Sequence, residues 1–353
     1  MVTSQTVDRQ SGFSLVELMV GMVLGLMLIA GAVSIYLASK RSYLEVEQVG
    51  ALTESARFAE QIVGESLRHL GFLGELPANK ISVDAALAAT SITGDCNTPT
   101  SAKAKAYDLS RLAYAATVDS SNNALGCITD GMEDTDVLVI KRVVARPYTA
   151  GPRVRDPNDP PGATIDTPST LDAGRTYVMT NNVTGILFEG STPPSITSGG
   201  EVPGGSAWEY QYEVFYIRDT DPLSTEDTPY LSRRVLAYNT STSSMEFQTE
   251  DLAEGVENMQ LLFGYDSDGD GEADTYDDPP GPGSAAWDDV VSIEVFMLIR
   301  SATSDAQYTD TKTYQMGGDP NDPVGPLNDN YRRLISHASV SLRNLKLMIR
   351  GGV

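Results

Sequence analysis

Residues 18–37 read LMVGMVLGLMLIAGAVSIYL, twenty consecutive residues without a charge. As an α-helix this segment is about 30 Å long, because each residue adds about 1.5 Å, and that length matches the hydrocarbon core of a bilayer. The segment is long for the apolar part of a secretory signal peptide, and a helical pattern continues beyond it. It therefore has the length and composition of a membrane-spanning helix.

One carboxylate interrupts the apolar sequence near its start. Glu17 lies four residues after Phe13, where the apolar stretch begins. A charged side chain in the hydrocarbon core costs about 2.5–3.5 kcal/mol, so intramembrane acids mark functional positions. Glu17 is a candidate functional residue for that reason.

The helical pattern extends well past the apolar segment. No proline occurs between Phe13 and Leu76, and apolar or small residues recur at spacings of three, four and seven. This pattern predicts one continuous helix from about Phe13 to about His69, on the order of 80 Å long. Its first half would be apolar on all sides, and its second half would pack one stripe against a globular head. The residues predicted for this stripe are Val46, Val49, Leu52, Thr53, Ala56, Ala59, Ile62, Val63, Leu67 and Leu70.

The chain is strongly acidic. It has 353 residues, with 48 acidic and 25 basic side chains and a net charge of −23. Nucleic acids and anionic membrane surfaces are bound through clustered Lys and Arg, so we expect no nucleic-acid partner, and the negative field favours cations. Part of the acidity lies in Asp-, Asn-, Pro- and Gly-rich segments that we expect to be loops, namely 155–161, 266–278 and 317–330.

Two cysteines and two histidines are too few and too scattered for a structural zinc site. If the head is exported, a disulfide between Cys96 and Cys127 would close a loop of about 30 residues and stabilise the fold by roughly 3–4 kcal/mol. The alternative is that both are free, buried thiols.

No motif of the common catalytic sites occurs in the sequence: GxSxG, HExxH, the P-loop and the dinucleotide fingerprint are all missing. We therefore expect no enzymatic activity. Two arginine pairs, Arg233-Arg234 and Arg332-Arg333, are expected to be exposed strand charges rather than anion sites.

The second half of the chain contains most of the β-type runs. They are rich in β-branched and aromatic residues, and residues 209–217 (EYQYEVFYI) alternate in polarity. We expect a mainly antiparallel sheet packed on the helix, and irregular structure over residues 81–127. The predicted strands are 137–143, 176–179, 186–188, 209–217, 231–238, 259–265, 290–300 and 339–348.

Residues 266–277, DSDGDGEADTYD, have the spacing of a calcium-binding loop. A glycine, Gly271, stands at position 6, and Glu272 can offer its carbonyl at position 7. A strand and Pro279-Pro280 flank the loop, so it is not a helix-loop-helix hand. We expect a structural calcium ion that fixes the turn, against the alternative of a solvated acidic hairpin tip. The acidic ligands at positions 1, 3, 5, 9 and 12 would be Asp266, Asp268, Asp270, Asp274 and Asp277.

The sequence GFSLVEL at residues 12–18, followed by the long apolar helix, resembles the processing site of type IV prepilins and type II secretion pseudopilins. The resemblance implies that a prepilin peptidase cleaves between Gly12 and Phe13 and that Phe13 is then N-methylated. It also implies that Glu17 pairs with the free amine of a neighbouring subunit during assembly. A carboxylate and an ammonium are each costly in an apolar medium, and each offsets the other's cost when they meet.

Landmarks in the head resemble the PilW family of minor pilins. They are EVFYIRD at 213–219, LAEGVENMQLLFGYDSDGDG at 252–271, the run 287–300 and VSLRNL at 340–345. The implied fold is α+β and pilin-like, with a long N-terminal helix packed on a mainly antiparallel β-sheet head. Its expected parts are a leader (1–12), a transmembrane and polymerisation half of the helix (13–40), an amphipathic half (41–75) and a β-rich head (76–353).

These features predict a minor pilin that primes or caps a type IV pilus. Its expected partners are other pilins and minor pilins, the prepilin peptidase, the inner membrane before assembly and a tip adhesin. The distribution of positive charge leaves the orientation of the chain in the membrane open, because Arg9 precedes the apolar segment whereas Lys40 and Arg41 follow it. The resemblance of the cleavage motif to those of prepilins implies a head in the periplasm, and on the pilus after assembly. The alternatives are a minor pseudopilin of a type II secretion system and a membrane-anchored, calcium-binding periplasmic module that does not polymerise.

Overall fold

The computed structural model describes residues 12, 14–96, 105–147, 171–219, 228–280, 284–318 and 323–344. The chain forms two units, one ending at Ala51 and the other beginning at Leu52. Helix α1 (Leu15–Arg68) contributes residues to both units.

The prediction of one continuous N-terminal helix is confirmed. α1 contains 54 residues, and its bounds lie within about two residues of those expected from the sequence pattern. Within α1, one stretch of 18 residues near the N-terminus is strongly apolar. By length and composition, this helix contains a segment that can cross a membrane.

The C-terminal part of α1 buries one stripe of side chains in the core of the second unit. The stripe consists of small and aliphatic residues spaced three or four apart, as an amphipathic helix requires. Val46 and Val49 do not belong to it, because they are 69% and 49% exposed; the prediction was wrong for these two residues, which lie in the first unit. The buried members are Leu52, Ala56, Ala59, Val63 and Leu67, followed by Leu70 beyond the helix end.

The C-terminal end of α1 finds hydrogen-bond partners far along the chain. The side-chain amide of Asn344 donates to the carbonyls of Arg68 (3.4 Å) and Leu70 (3.1 Å). Gly71 then takes a positive φ of 75° and donates its N–H to the carbonyl of Lys141. Carbonyls in the last turn of a helix have no intrahelical donor, so Asn344 satisfies groups that would otherwise need water.

Twelve strands form two sheets in the described part of the second unit. Short helices lie at Ala78–Lys80 (3₁₀), Ala85–Ala88 (α2) and Ala285–Asp289 (3₁₀). The strands are β1 (Ile81–Val83), β2 (Ala113–Thr117), β3 (Asp136–Val143), β4 (Thr176–Thr180), β5 (Gly185–Glu189), β6 (Ser206–Arg218), β7 (Tyr230–Asn239), β8 (Ser244–Glu254), β9 (Val256–Tyr265), β10 (Thr275–Asp277), β11 (Val290–Arg300) and β12 (Arg333–Ser341).

The larger sheet has eight strands in the order β1-β5-β4-β6-β3-β2, with β7 paired to β6 and β8 paired to β7. Only the β1–β5 pair is parallel. The smaller sheet has the order β10-β9-β11-β12 and is antiparallel throughout. The expected α+β, pilin-like architecture with a mainly antiparallel head is confirmed.

One core joins the helix stripe to both sheets. Residues 137–140 of β3 are fully buried, as are Ile293 of β11 and Phe263 of β9. Burying a Val, Leu, Ile or Phe side chain contributes about 1.5–3 kcal/mol, so this shared core holds the helix end and the sheets together. A smaller cluster joins Leu298 of β11 to Tyr314 and Met316 in the loop between β11 and β12.

Several expected boundaries differ from the structure. The segment 81–127, expected to be irregular, contains β1, α2 and β2. The final strand begins at Arg333 and ends at Ser341, although the sequence pattern placed it at 339–348; residues 345–348 lie outside the described chain, as does the expected loop 155–161. β8 was not expected, because its side chains are mostly polar and exposed and give no apolar alternation.

Candidate assembly and metal sites

The carboxylate of Glu17 caps the start of α1. The backbone N–H of Ser14 donates to Glu17 Oε2 (2.9 Å), and the backbone N–H of Glu17 donates to Ser14 Oγ (3.2 Å). These reciprocal bonds form a capping box, with Ser14 at the N-cap and Glu17 three positions later. Each bond satisfies an N–H that the first helical turn leaves without a partner.

The capping box was recognisable in the sequence as Ser-x-x-Glu before an apolar run, a signal that our sequence reading missed. Of the two residues expected to flank the processing site, Gly12 is exposed and Phe13 lies outside the described residues. In this structure the Glu17 carboxylate orders the start of α1. The Glu17 carboxylate therefore has a hydrogen-bond partner within its own chain.

The acidic loop lies between two paired strands. β9 ends at Tyr265, which pairs with Thr275 of β10, so residues 266–274 form the loop of a hairpin. Asp266 organises the turn, because its two carboxylate oxygens accept the N–H groups of Gly269 (2.6 Å) and Gly271 (2.7 Å). Both glycines have positive φ, of 80° and 93° respectively, a conformation that other residues rarely adopt.

Three of the six residues expected to bind calcium come together. One carboxylate oxygen from each of Asp266, Asp268 and Asp274 lies within 4.8 Å of the other two. The other three expected ligands are outside this group. Asp270 Oδ1 accepts the N–H of Glu272, and Asp277 Oδ1 accepts the N–H of Asp278.

Hydrogen bonds from Ser267 also lower the pKa of one of these three carboxylates, that of Asp274. The hydroxyl and the backbone N–H of Ser267 both donate to Asp274 Oδ2, and these bonds lower the pKa of Asp274 below its usual value. The carboxylate is thus ionised, as a hard cation requires of its ligands. Three carboxylates can serve as the acidic part of a calcium shell, which takes six to eight oxygen atoms.

The expected disulfide between Cys96 and Cys127 is present, and the described residues contain no free cysteine. Both half-cystines are buried. The guanidinium of Arg234 donates to the carbonyl of Cys127 and lies over the ring of Phe247, 5.4 Å from its centroid. The disulfide region is thereby attached to β7 and β8.

Arg333 is not the exposed strand charge that the sequence pattern indicated. The residue is 8% exposed, and its guanidinium forms ion pairs with Glu257, Asp310 (2.9 Å) and Asp329 (2.6 Å). Asp310 is fully buried and also accepts the hydroxyl of Tyr314 at 2.9 Å. We call these five side chains the Arg333 network; it ties β9 and β12 to the loop between β11 and β12.

The described residues combine a long N-terminal helix, apolar in its first part, with an antiparallel β-rich unit that buries the second part of the same helix. This architecture defines a pilin-like protein. Two family models match the chain: residues 8–33 match the prokaryotic N-terminal methylation motif, and residues 214–344 match Type IV Pilus-assembly protein W.

By these two matches the chain resembles the PilW family of type IV pilus assembly proteins, and it carries an N-terminal methylation motif. Gly12, Phe13 and Glu17 fall within the first match, and the acidic loop falls within the second. Proteins of this family are generally structural rather than enzymatic. No curated protein and no solved structure matches the chain.

Proposed function

We propose that this protein is a minor pilin, an assembly subunit that primes or caps a type IV pilus and contacts other pilin subunits. The observation that carries the proposal is that the methylation motif overlaps the start of a continuous helix, and the far end of this helix is buried in a head that matches the PilW model over residues 214–344. A head from 76 to 353 is large, which suits a specialised subunit better than the bulk filament protein. The leader would be residues 1–12, and the polymerising segment residues 13–40.

In this proposal a prepilin peptidase cuts between Gly12 and Phe13, and the new amine of Phe13 is methylated. Glu17 of one subunit then meets the amine of a neighbouring subunit. Within an apolar filament core, this pairing offsets two desolvation costs of several kcal/mol each. Before assembly, the Ser14 N–H (2.9 Å) gives the Glu17 carboxylate a local partner, which makes the unassembled state less costly.

Mass spectrometry of the chain from piliated cells tests the processing step. We expect the mature protein to begin at Phe13 and to carry one methyl group on its amine. A chain that retains residues 1–12, or that begins elsewhere, would contradict the proposal.

The role of Glu17 is tested by Glu17→Gln, which removes the charge and keeps the shape. We expect the variant to insert in the membrane, to be processed, and to be lost from sheared pili. Glu47→Gln is the matched control, because it lies on the same helix beyond the apolar segment. If both variants enter pili equally, the protein is not assembled through Glu17.

Localisation separates this proposal from its two alternatives. Before assembly we expect the chain in the inner membrane with its head in the periplasm, and afterwards on the cell surface. Immunogold labelling of surface pili supports a pilus subunit. Labelling confined to the periplasm indicates a pseudopilin, and processed protein that never enters any filament indicates a membrane-anchored module.

We further propose that Asp266, Asp268 and Asp274 hold a structural calcium ion in the hairpin loop. The convergence of three carboxylates within 4.8 Å supports this. At a dissociation constant of 10⁻⁴–10⁻³ M, 10 mM calcium would stabilise the head by about 1.4–2.7 kcal/mol, or roughly 2–4 °C in Tm.

Asp268→Ala should abolish this calcium-dependent shift in Tm, whereas Glu133→Ala, which removes an exposed acid outside the loop, should retain it. Asp277→Ala reports whether the last residue of the motif contributes a ligand, because its carboxylate lies outside the group of three. A wild-type chain whose Tm is the same in 10 mM calcium and in chelator would refute the calcium proposal and leave the pilin proposal intact.

A further inference from the structure

A cavity of about 590 Å³ lies in the head and opens to solvent. Much of its wall is apolar, including Ile81, Leu112 and Val290, whereas Ser110 and Asp288 are exposed at its rim. Apolar surface that faces water costs about 25 cal/mol per Å² compared with buried surface. An apolar segment would therefore gain free energy by docking in this cavity.

The described chain ends close to the cavity. After β12, the backbone N–H of Leu342 donates to the carbonyl of Val291 (2.8 Å), and the neighbouring Val290 belongs to the cavity wall. The described residues then end at Asn344, two positions further on. Residues 345–353 therefore start near the wall formed by the first residues of β11.

Hydrogen bonds connect Asn344 to a second part of the same wall. Its side chain donates to the carbonyl of Leu70 (3.1 Å), and the next residue, Gly71, donates its N–H to the carbonyl of Lys141 (3.3 Å). Lys141 in turn donates its N–H to the carbonyl of Leu112 (2.9 Å), which lines the cavity. Asn344 is thus fixed on the side of the head where the cavity lies.

The sequence of residues 345–353, LKLMIRGGV, suits an apolar cavity. In an extended conformation alternate side chains share one face, so Leu345, Leu347 and Ile349 would point the same way, and Lys346 and Met348 the opposite way. Nine extended residues span up to about 30 Å. The segment is long enough to cross the cavity from Asn344 and carries a continuous apolar face.

The charges of the segment and of the cavity have opposite signs. Residues 343–353 contain three basic side chains and no acid, in a chain with a net charge of −23. Among the described residues that line the cavity, Asp108 and Asp288 are acidic and only Arg111 is basic; Arg111 pairs with Asp288 at 2.8 Å. Pairing of exposed charges contributes little free energy, but its sign favours this segment as the occupant.

We propose that residues 345–353 dock in this cavity of their own chain, with Leu347 and Ile349 against its apolar wall. Because the segment is tethered beside the cavity, its effective concentration is in the millimolar range, and modest contacts are enough to hold it there. Docking joins three segments that are distant in the sequence and that line the cavity together: 77–83, 107–113 and 287–290. It thereby stabilises the head around the end of α1.

Crosslinking tests the position of the segment in the full chain, with one chain in each lipid nanodisc. Ser110→Cys is combined with Ile349→Cys, and the pair is treated with a short bismaleimide; the two native cysteines form the disulfide and do not react. Ser121→Cys with Ile349→Cys is the matched control. Ser121 is also exposed and follows an aspartate in a similar turn, but β2, about 15 Å long, separates it from Ser110. We expect at least ten times more crosslink, measured by mass spectrometry of the digested chain, for the pair at the cavity.

A second measurement tests the apolar contact. Leu347→Asp places a charge against the apolar wall, so it should lower Tm by about 3–5 °C and abolish the crosslink between positions 110 and 349. Met348→Asp makes the same change of charge on the opposite face of the extended segment. It should leave Tm within about 1 °C of the wild type and preserve the crosslink.

Three results would overturn the proposal. The first is a crosslink yield at the cavity no higher than in the Ser121 control. The second is an equal effect of Leu347→Asp and Met348→Asp on Tm. The third is a crosslink that forms only in nanodiscs containing two chains, which would assign the cavity to the same segment of a second copy.

Discussion

Replacing Arg333 by methionine tests the Arg333 network most directly. The substitution keeps an unbranched side chain of similar length but removes the guanidinium from the centre of three carboxylates. Asp310, which is fully buried, would then be left with neutral partners only: the hydroxyls of Tyr308 (3.2 Å) and Tyr314 (2.9 Å) and the backbone N–H of Lys312 (3.4 Å). Breaking a buried ion pair by removing one partner costs about 3–5 kcal/mol, because the remaining charge is uncompensated.

That cost converts into a measurable change in Tm. Unfolding entropy is about 2.1 cal/mol/K per residue, which gives roughly 0.6 kcal/mol/K for the unit from Leu52 to Val353. A loss of 3–5 kcal/mol should thus lower Tm by about 5–8 °C, as followed by circular dichroism of the full chain in nanodiscs. The control is Arg175→Met. Arg175 is 44% exposed and pairs with Asp172 (3.0 Å) and Glu209 at the surface, so we expect a loss of less than about 1 kcal/mol and a shift below about 2 °C.

The effect of Arg333→Met should also depend on pH. Burial acts to raise the pKa of Asp310, but hydrogen bonds from Tyr314 and Arg333 hold it below its usual value; the bond from Arg333 lowers the pKa of Asp329. Both acids therefore stabilise the wild type above about pH 4, the usual carboxyl pKa, and this contribution is lost as pH falls through the lowered values. In the variant, the unpaired carboxylates take up protons more readily. The deficit in Tm should be smaller at pH 4.5 than at pH 7.5.

Either of two outcomes would refute this reasoning. One is a Tm for Arg333→Met within about 2 °C of the wild type at pH 7.5, since surface pairs already give shifts of that size. The other is a deficit that is the same at both pH values, which would mean that lost packing, rather than uncompensated charge, weakens the variant.

Three further predictions concern the same head. Burial lowers the pKa of Lys141 to about 7, so between pH 7 and about 10 the unfolded chain binds a proton that the folded chain does not, and the free energy of unfolding rises with pH. Lys141→Met should remove about 2–3 kcal/mol of that rise between pH 7 and 9, as measured by urea unfolding. If the free energy of unfolding changes with pH equally in the variant and the wild type, this prediction is contradicted. Replacing Cys96 and Cys127 by serine removes a crosslink between positions 31 residues apart, which should lower the free energy of unfolding by about 3–4 kcal/mol and Tm by roughly 5–6 °C. An unchanged Tm would mean that the crosslink does not constrain the unfolded chain. Gly255→Ala should destabilise the head by more than about 2 kcal/mol, because its φ is 82° and the added Cβ would lie 2.5 Å from the carbonyl oxygen of Arg300. Gly199→Ala is the control: its φ is also 82°, but open space surrounds the added Cβ, so it should cost only about 1 kcal/mol. Equal losses of stability in the two variants would rule out the steric contact with Arg300.

The parts of the fold that the sequence predicts well are those with strong local periodicity. α1 follows from spacing alone, and β3, β6, β9 and β11 follow from runs of β-branched and aromatic residues. β2, with the sequence AYAAT, lacks that signal, and β8 is a polar edge strand that burial does not pattern. These two strands are recognisable only by their partners in the sheet.

The candidate sites also differ in how well the sequence predicts them. The acidic loop and the capping box are local, so their residues could be read from short motifs. Burial of Arg333 could not be predicted, because its partners Glu257 and Asp310 lie 76 and 23 residues away along the chain. The same limit applies to the cavity lined by Ala113 and Trp287, because these residues come from distant parts of the chain.

The contact between Asn344 and the end of α1 joins two segments that are synthesised far apart in time. Its two hydrogen bonds join residues that are 274 and 276 positions apart. During synthesis α1 emerges well before Asn344, so these two hydrogen bonds can form only after most of the head has been made. Long-range closure of this kind slows folding. Chains interrupted before Asn344 would leave the carbonyls of Arg68 and Leu70 at the helix end without these two donors.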